Sequence, residues 1–348
     1  MPLIFSQEID FPTNRVFDWL SFYDADYQKY TGLNLEDDFT FNDKKITISL
    51  GGLSKKKSIK IKDKNLDPVN LFPVWFRRPN KVSNPFTGDF EYESTYPRNL
   101  FNYALKQRNT IFWDYLGYKL ESNNHLGSFK TTGLNKPIIL ELAQQFGLTI
   151  PSTLITNSKD DLKLFFETNN NRIITKSIEE IIIDHKHYIN DEEYHHFYQI
   201  TNLLESLDNT PSKFAPSLFQ EYIDKEYEIR TVFFNDKCYS AAVFTQINEN
   251  TKVDMRNRMA NHFTRYMPYK LDAKIEASIL KLMNHLELNF GVIDFIKSID
   301  DQYYFLEINP VGQYGDVSLY CNYGIHKKIA EFLIKNENKK QKTSGKHS

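Results

Sequence analysis

Cysteine is almost absent from this 348-residue chain: Cys238 and Cys321 are the only two. That count excludes a disulfide framework and a cysteine-built zinc site. Excess charge of one sign is missing as well. With 43 basic and 45 acidic residues the formal net charge is −2, which gives no basic footprint for nucleic acid. The run Lys55-Lys56-Lys57, with Lys60, Lys62 and Lys64, reads as a solvated loop or edge strand. No apolar run approaches the ~18 residues that span a bilayer, and no signal-peptide pattern opens the chain. A cytoplasmic protein with neither a membrane nor a nucleic-acid partner is expected. Internal repeats are also missing.

What is present is a mixture suited to a globular protein of two or three subdomains, 41% hydrophobic and 25% charged. A strand at Pro2–Ser6 precedes a helix from Thr13 to Tyr23, with Val16, Trp19 and Leu20 on its apolar face. Further strands are expected at Lys45–Leu50, Ser58–Ile61 and Pro73–Pro79, then a helix at Tyr96–Leu120. Strand-helix-strand order at the start indicates an α/β subdomain. Leu134–Phe146 reads as a helix closed by Gly147, and Thr149–Thr156 as a strand. Asn157 or Ser158 can cap a helix at Lys159–Glu167. Strands follow at Arg172–Lys176 and Ile181–Tyr188, then a helix at Asp191–Leu207 and a linker at Pro211–Pro216. Leu218–Ile223, Tyr227–Phe234 and Cys238–Gln246 read as strands, the last two joined around Asn235-Asp236. A helix at Ile275–Leu286 and another at His326–Lys335 complete the pattern, and the polar, Lys-rich segment from Asn336 is expected to be disordered.

The chemistry concentrates near the C-terminal end. Gly291-Val292-Ile293-Asp294-Phe295 and Tyr304-Phe305-Leu306-Glu307-Ile308-Asn309-Pro310 are strand-like runs flanking Ser298-Ile299-Asp300-Asp301. They read as a hairpin with its turn near Asp300-Asp301. If Ile299 pairs with Gln302, Asp294 lies opposite Glu307. Glu307 and Asn309 then share a face, ~6.5–7 Å apart along the strand. Two carboxylates and an amide oxygen on one face are hard ligands, of the kind magnesium takes alongside substrate phosphates. For Glu-x-Asn taken alone, an acidic surface hairpin is the readier account.

Other polar groups fall at strand ends. Lys176 closes Ile173-Ile174-Thr175 and can reach a phosphate, and Lys136 lies in the first turn of its helix, within reach of an α-phosphate. Gln220-Glu221-Tyr222-Ile223 ends an apolar strand, where backbone groups can read an adenine edge. Glu228 can offer a carboxylate to ribose hydroxyls, and Arg230 shares its face by strand periodicity. Arg256 follows Asp254-Met255. Two arginines near a metal-phosphate site stabilise charge that develops during transfer. Each of these residues, taken singly, is also an ordinary surface residue.

Taken in order, Lys136, Lys176, Gln220-Glu221-Tyr222-Ile223, Glu228-Ile229-Arg230, Asp254-Met255-Arg256, Asp294 and Glu307-Ile308-Asn309 resemble an ATP-grasp ligase over Leu134–Gly324. The Glu221/Glu228 step is similar to the adenine and ribose contacts of D-alanine ligases, and Glu-Ile-Arg to ribosomal-protein glutamate ligases. Val74-Trp75-Phe76-Arg77-Arg78-Pro79, the stretch Gly147–Asn157 and Glu307–Gly315 resemble the graspetide (microviridin-type) peptide ligases. The opening Phe5–Asp10 with Thr13, Val16 and Trp19-Leu20 is similar to the branch encoded with a radical-SAM/SPASM partner. Three departures stand out. Met255 replaces the usual Trp or Phe, Ser177 replaces Pro after Lys176, and no glycine-rich phosphate loop lies between Arg172 and Tyr188.

The resemblance implies an α/β (α+β) ATP-grasp fold with an N-terminal α/β pre-ATP-grasp subdomain. Its expected divisions are residues 1–122, a central subdomain 123–212, a C-terminal subdomain 213–335 and a tail 336–348. It implies ATP bound by Lys136, Lys176, Gln220, Glu221, Tyr222, Ile223 and Glu228. Asp294, Glu307 and Asn309 would hold two Mg²⁺ ions, with Arg230 and Arg256 acting in catalysis. The implied reaction phosphorylates an Asp or Glu side chain of a ribosomal precursor peptide, which a Ser, Thr or Lys side chain then attacks to close a macrocycle. The implied partners are that precursor, leader plus core, and a radical-SAM/SPASM protein; a homodimer stays open. A ligase adding free amino acids to a protein or metabolite is the alternative enzyme, and an ATP-regulated peptide binder without turnover the alternative class. Leader recognition is expected on Ile181–Tyr198, where Tyr194, His195, Phe197 and Tyr198 gather aromatic groups.

Overall fold

The computed structural model describes residues 2–7, 9–30, 59–61, 64–66, 73–79, 98–121, 124–178, 183–189, 192–198, 201–247, 251–255 and 264–344. The expected strand Lys45–Leu50 and Arg256 lie outside the described residues. The chain divides into two compact units. One comprises Met1–Thr132, Gln313–Ser318 and Tyr323–Ser348, and the other Gly133–Gly312 with Leu319–Asn322.

In the first unit β1 (Leu3–Phe5) is flanked by parallel partners β2 (Gln28–Tyr30) and β5 (Val74–Phe76), and β6 (His125–Leu126) pairs with β5. Every residue of β1 and β5 is buried, the unbroken apolar pattern of a parallel sheet covered on both faces. Helix α1 (Phe11–Phe22) starts at Asp10, whose carboxylate accepts the Thr13 hydroxyl, and buries Val16 and Leu20. It packs against the final helix, Ile325–Ser344, which runs past Lys335 into the Lys-rich segment. Arg77 is fully buried. Its Nε donates to Asp10 Oδ2 at 3.1 Å, its Nη2 donates to Gln313 Oε1 at 3.3 Å, and the guanidinium lies 5.5 Å from the Tyr314 ring centre. A charge so placed is tolerable only with such partners.

In the second unit a four-stranded antiparallel sheet contains β7 (Thr153–Thr156), β8 (Ile173–Lys176), β11 (Asn202–Leu204) and β12 (Ser217–Glu221). Ser158 Oγ accepts from Asp161 N at 3.2 Å, which selects Ser158 over Asn157 as the cap of helix Lys159–Thr168. A five-stranded antiparallel sheet runs in the order β15 (Arg265–Tyr269), β14 (Lys237–Phe244), β13 (Lys225–Phe234), β16 (Phe290–Ser298), β17 (Tyr303–Asn309). Asn235 and Asp236, with φ of +47° and +64°, form the two-residue turn between β13 and β14. One face of this sheet buries Ile229, Phe233, Ile293, Phe295, Phe305 and Ile308 against α3 (Lys136–Gln145) and the helix Ala273–His285. Gly147, at φ +87°, takes the left-handed position that ends α3.

Two readings need correction. The segment from Asn336, expected to be disordered, is helical as far as Ser344. Asp191–Leu207 is not a helix. Glu192–Tyr198 is a strand paired antiparallel with Ile183–Ile189, and β11 follows. The run Tyr194-His195-His196-Phe197-Tyr198 has aromatic strand preference, and a paired neighbour decides the outcome. Strand β15 escapes a sequence reading because it contains Pro268, which argues against a strand. Pro268 is tolerated here because β15 is an edge.

Candidate active site

Strand parity sets the site. On β13 the core takes Ile229 and Phe233, so Glu228, Arg230 and Val232 point to the other face. On β16 the core takes Ile293 and Phe295, so Asp294 turns the same way. The register places Arg230 opposite Asp294 and Asp294 opposite Glu307, one row across three strands. Arg230 Nη1 donates to both Asp294 oxygens at 3.0 Å.

The Asp294–Glu307 pairing expected from the sequence is present, but the chain reaches it by another route. The turn holds three residues, Ile299-Asp300-Asp301, closed by Ser298 N donating to Gln302 O at 2.9 Å with Asp301 at φ +64°. Lys297 pairs with Tyr303 and Phe295 with Phe305, one residue out of the expected register. A bulge then makes Leu306 the extra residue and restores Asp294 opposite Glu307. The bulge also sends Phe305 into the core, its ring 5.6 Å from that of Phe295, while Glu307 faces the site. In an unbroken strand Phe305 and Glu307 would share a face.

Helix α3 supplies a cation to Glu307. Asn135 Oδ1 accepts from Ile138 N at 3.2 Å and fixes the helix start, while Ile139, Leu140 and Ala143 anchor it in the core. Lys136 Nζ then lies 3.5 Å from Glu307 Oε2 and donates to Ser177 O at 3.2 Å. Each carboxylate thus faces a cation. The four side chains keep 10–20% of their surface exposed, so a ligand can reach all of them.

Asn309 stands opposite Val292 in the next row, and its Oδ1 accepts from Val311 N at 3.0 Å. The turn beyond it needs Gly312, because a Cβ there would lie 2.6 Å from Val292 Cβ. Among the described residues no three His, Cys, Asp or Glu side chains form a metal cluster. The donor set here is instead two carboxylates and an amide oxygen. That suits a cation taking its remaining ligands from nucleotide phosphates.

The other sheet carries the nucleotide candidates. Leu218 pairs with Lys176 and Gln220 with Ile174, on the face opposite the small core of Leu162, Ile173 and Phe219. Gln220 is fully buried and donates Nε2 to Thr153 Oγ1 at 2.9 Å. Glu221 Oε1 accepts from Ser152 N at 2.8 Å. The N–H groups of Glu221 and Tyr222 donate to the Ser152 and Arg172 carbonyls, so these two donors are committed within the protein. Arg172 also lies over the Tyr222 ring, 4.3 Å from its centre. Glu228 is buried and accepts from Lys225 and Thr245. Asp254 accepts from Thr201 N at 3.2 Å and Oγ1 at 2.8 Å, and Met255 is buried.

Lys225, Thr245, Ser152 and Gly312 are site residues that a sequence reading passes over. Lys225 lies three residues from Glu228, a spacing that puts them on opposite faces of a regular strand. Ser152 and Gly312 left a trace, in the stretches Gly147–Asn157 and Glu307–Gly315.

No family model and no curated protein matches the chain. Solved structures do. The macrocyclase MdnC of Microcystis aeruginosa, solved bound with precursor peptide MdnA, aligns at 26% identity and a TM-score of 0.70, over 97% of this chain and 100% of that one. A RiPP-associated ATP-grasp ligase of Chryseobacterium gregarium, in complex with ADP and a leader and core peptide, aligns at 21% identity and 0.73, over 96% of each chain. The ATP-grasp ligase PsnB, complexed with a precursor variant, Mg and ADP, aligns at 16% and 0.67, over 96% and 97%. The chain thus has the ATP-grasp architecture over nearly its whole length and is similar to ATP-grasp ligases and macrocyclases of the graspetide (microviridin-type) kind.

Proposed function

We propose that this protein uses ATP to phosphorylate Asp or Glu side-chain carboxylates of a ribosomal precursor peptide. It then closes ester or amide macrocycles with Ser, Thr or Lys side chains of the same peptide. The observation that carries this reading is the charge row, in which Lys136 meets Glu307 and Arg230 meets Asp294 on one reachable face. MdnC, with precursor peptide MdnA bound, supports the peptide as substrate.

Asp294, Glu307 and Asn309 are the residues that would hold Mg²⁺, as two ions. When bound, the metal neutralises phosphate charge and polarises the transferred group. Lys136 and Lys176 bind phosphates, Glu221 to Ile223 hold the adenine, and Glu228 holds the ribose. Arg230 and Arg256 stabilise charge on the transferred phosphoryl group and on the acyl phosphate. The peptide supplies both reacting groups, so the protein's own contribution is positioning and electrostatics. The division into residues 1–122, 123–212 and 213–335, a cytoplasmic location, a homodimer and a radical-SAM/SPASM partner belong to the same proposal. So does leader docking on the stretch Ile181–Tyr198.

The test is to incubate the protein with Mg²⁺, ATP and a short Thr/Glu-rich precursor peptide, and to follow mass and nucleotide. One water lost from the peptide per ADP formed is the expected result. A mass gain from an added amino acid would replace macrocyclisation with the appending reaction.

A further inference from the structure

Strand β13 begins with a second bulge. Lys225 pairs with Ser298 and Tyr227 with Lys297, which leaves Glu226 as the extra residue. In a regular strand Lys225 and Glu228 would face opposite sides. The bulge turns Lys225 onto the face of Glu228 and Arg230, while Tyr227 packs against the core. The Lys225 and Glu228 side chains are only 4% and 8% exposed, and Lys225 Nζ donates to Glu228 Oε1. Burying this pair is costly in itself, so a local salt bridge is a poor reason for the device.

Two further contacts say what it does. Thr245 Oγ1 also donates to Glu228 Oε1, at 3.2 Å. Both bonds therefore fall on one oxygen, and among the described residues Oε2 receives none. Lys225 Nζ also donates to Val253 O at 3.2 Å. That carbonyl begins the run Val253-Asp254-Met255-Arg256, whose Asp254 is itself pinned by Thr201.

We propose that Lys225 is a positioning residue. It clamps Glu228 by one oxygen, aims the other at the ribose hydroxyls of the nucleotide, and ties that carboxylate to the segment leading to Arg256. The inference rests on the reading of this site as a nucleotide site and goes beyond it by naming the residue that sets ribose recognition.

The test compares binding of ATP and 2′,3′-dideoxy-ATP, with Mg²⁺, by titration calorimetry on the full chain. Wild type should prefer ATP by about tenfold, the scale of a charge-assisted hydrogen bond. Lys225→Met and Glu228→Gln should each bring that preference close to one, and the double variant should add nothing further. Thr245→Val removes the other bond to Oε1 without changing charge, and should lower the preference by about threefold. That variant decides the matter should Lys225→Met fail to fold. At saturating ATP, kcat for ligation should fall in Lys225→Met more than in Thr245→Val, since only Lys225 reaches Val253. A merely structural role would change melting temperature and leave the ATP-to-dideoxy ratio where it was. A wild-type ratio in Lys225→Met overturns the clamp alone, as does a wild-type ratio in Thr245→Val when Lys225→Met does not fold. Wild type binding neither nucleotide overturns the nucleotide site and the clamp together.

Discussion

Replacing Glu307 by Gln separates chemistry from folding, because the substitution keeps shape and removes one charge. In the folded protein that charge faces Lys136 at 3.5 Å, with side chains 10% and 20% exposed. At an effective dielectric of about 20 the direct attraction is about 5 kcal/mol, most of it cancelled by desolvation. A net loss of about 1 kcal/mol follows, because Lys136 keeps its bond to Ser177 O. For a chain of this size that is a fall in Tm of about 2 °C. The chemical step should suffer far more. A carboxylate withdrawn from a site that handles developing phosphoryl charge costs at least ~100-fold in rate, about 2.7 kcal/mol. Melting followed by circular dichroism, together with single-turnover ring closure read by mass spectrometry at saturating Mg²⁺, measures both quantities on one sample. Near-normal turnover, or a stability loss as large as the rate loss, would refute the reasoning.

Asn309→Ala should leave the fold intact and likewise lower ring closure at least ~100-fold, checked with the same pair of assays. Arg256→Ala should lower kcat while ATP affinity stays within a few-fold; the reverse split in steady-state kinetics would exchange the roles of the two ends of the site. Gly312→Ala should cost about 1–3 kcal/mol by denaturant unfolding, because its Cβ would lie 2.6 Å from Val292 Cβ. His326 is pushed down from 6.5 to about 4 by burial and by Arg15 and Arg77, so the folded protein resists its protonation. The unfolded chain binds that proton more readily between those values, so stability rises with pH across about 4 to 6.5 and is lost on acidification. His326→Gln should flatten that part of a melting-temperature profile.

The row of Asp294 and Glu307 was legible because parity and register are properties of short segments. Asp294, Glu307 and Asn309 sit in runs that cannot be read as helix. The reason for their alignment was not legible. A turn shifted by one residue and a bulge at Leu306 offset each other, so the correct pairing follows from an incorrect ladder. The same blindness hid Lys225, since a bulge depends on which neighbour the strand meets and leaves no local pattern. Pairing also overrode the helix expected at Asp191–Leu207. Arg77 belongs to a run that carries the resemblance, yet nothing in the sequence ties it to Asp10 or Gln313, because those contacts join distant parts of the chain.

Charge explains why such a row can exist before any ligand arrives. Lys136 and Arg230 balance Glu307 and Asp294, so the exposed face of the sheet is neutral within the row. An unpaired carboxylate in that position would be costly to fold around, and the pairing removes most of the cost. Fully ionised ATP with two magnesium ions is itself close to neutral. On the proposed reading, loading would replace one balanced set of charges by two interleaved ones, the carboxylates meeting metal and the cations phosphate. No stage needs a large net charge withdrawn from water. Each of the two bulges puts a charged side chain on the face opposite the core, on a strand whose next core residue is aromatic, Phe305 in one case and Tyr227 in the other. The aromatic groups hold the backbone from behind, and the charges in front remain free to change partners without moving it.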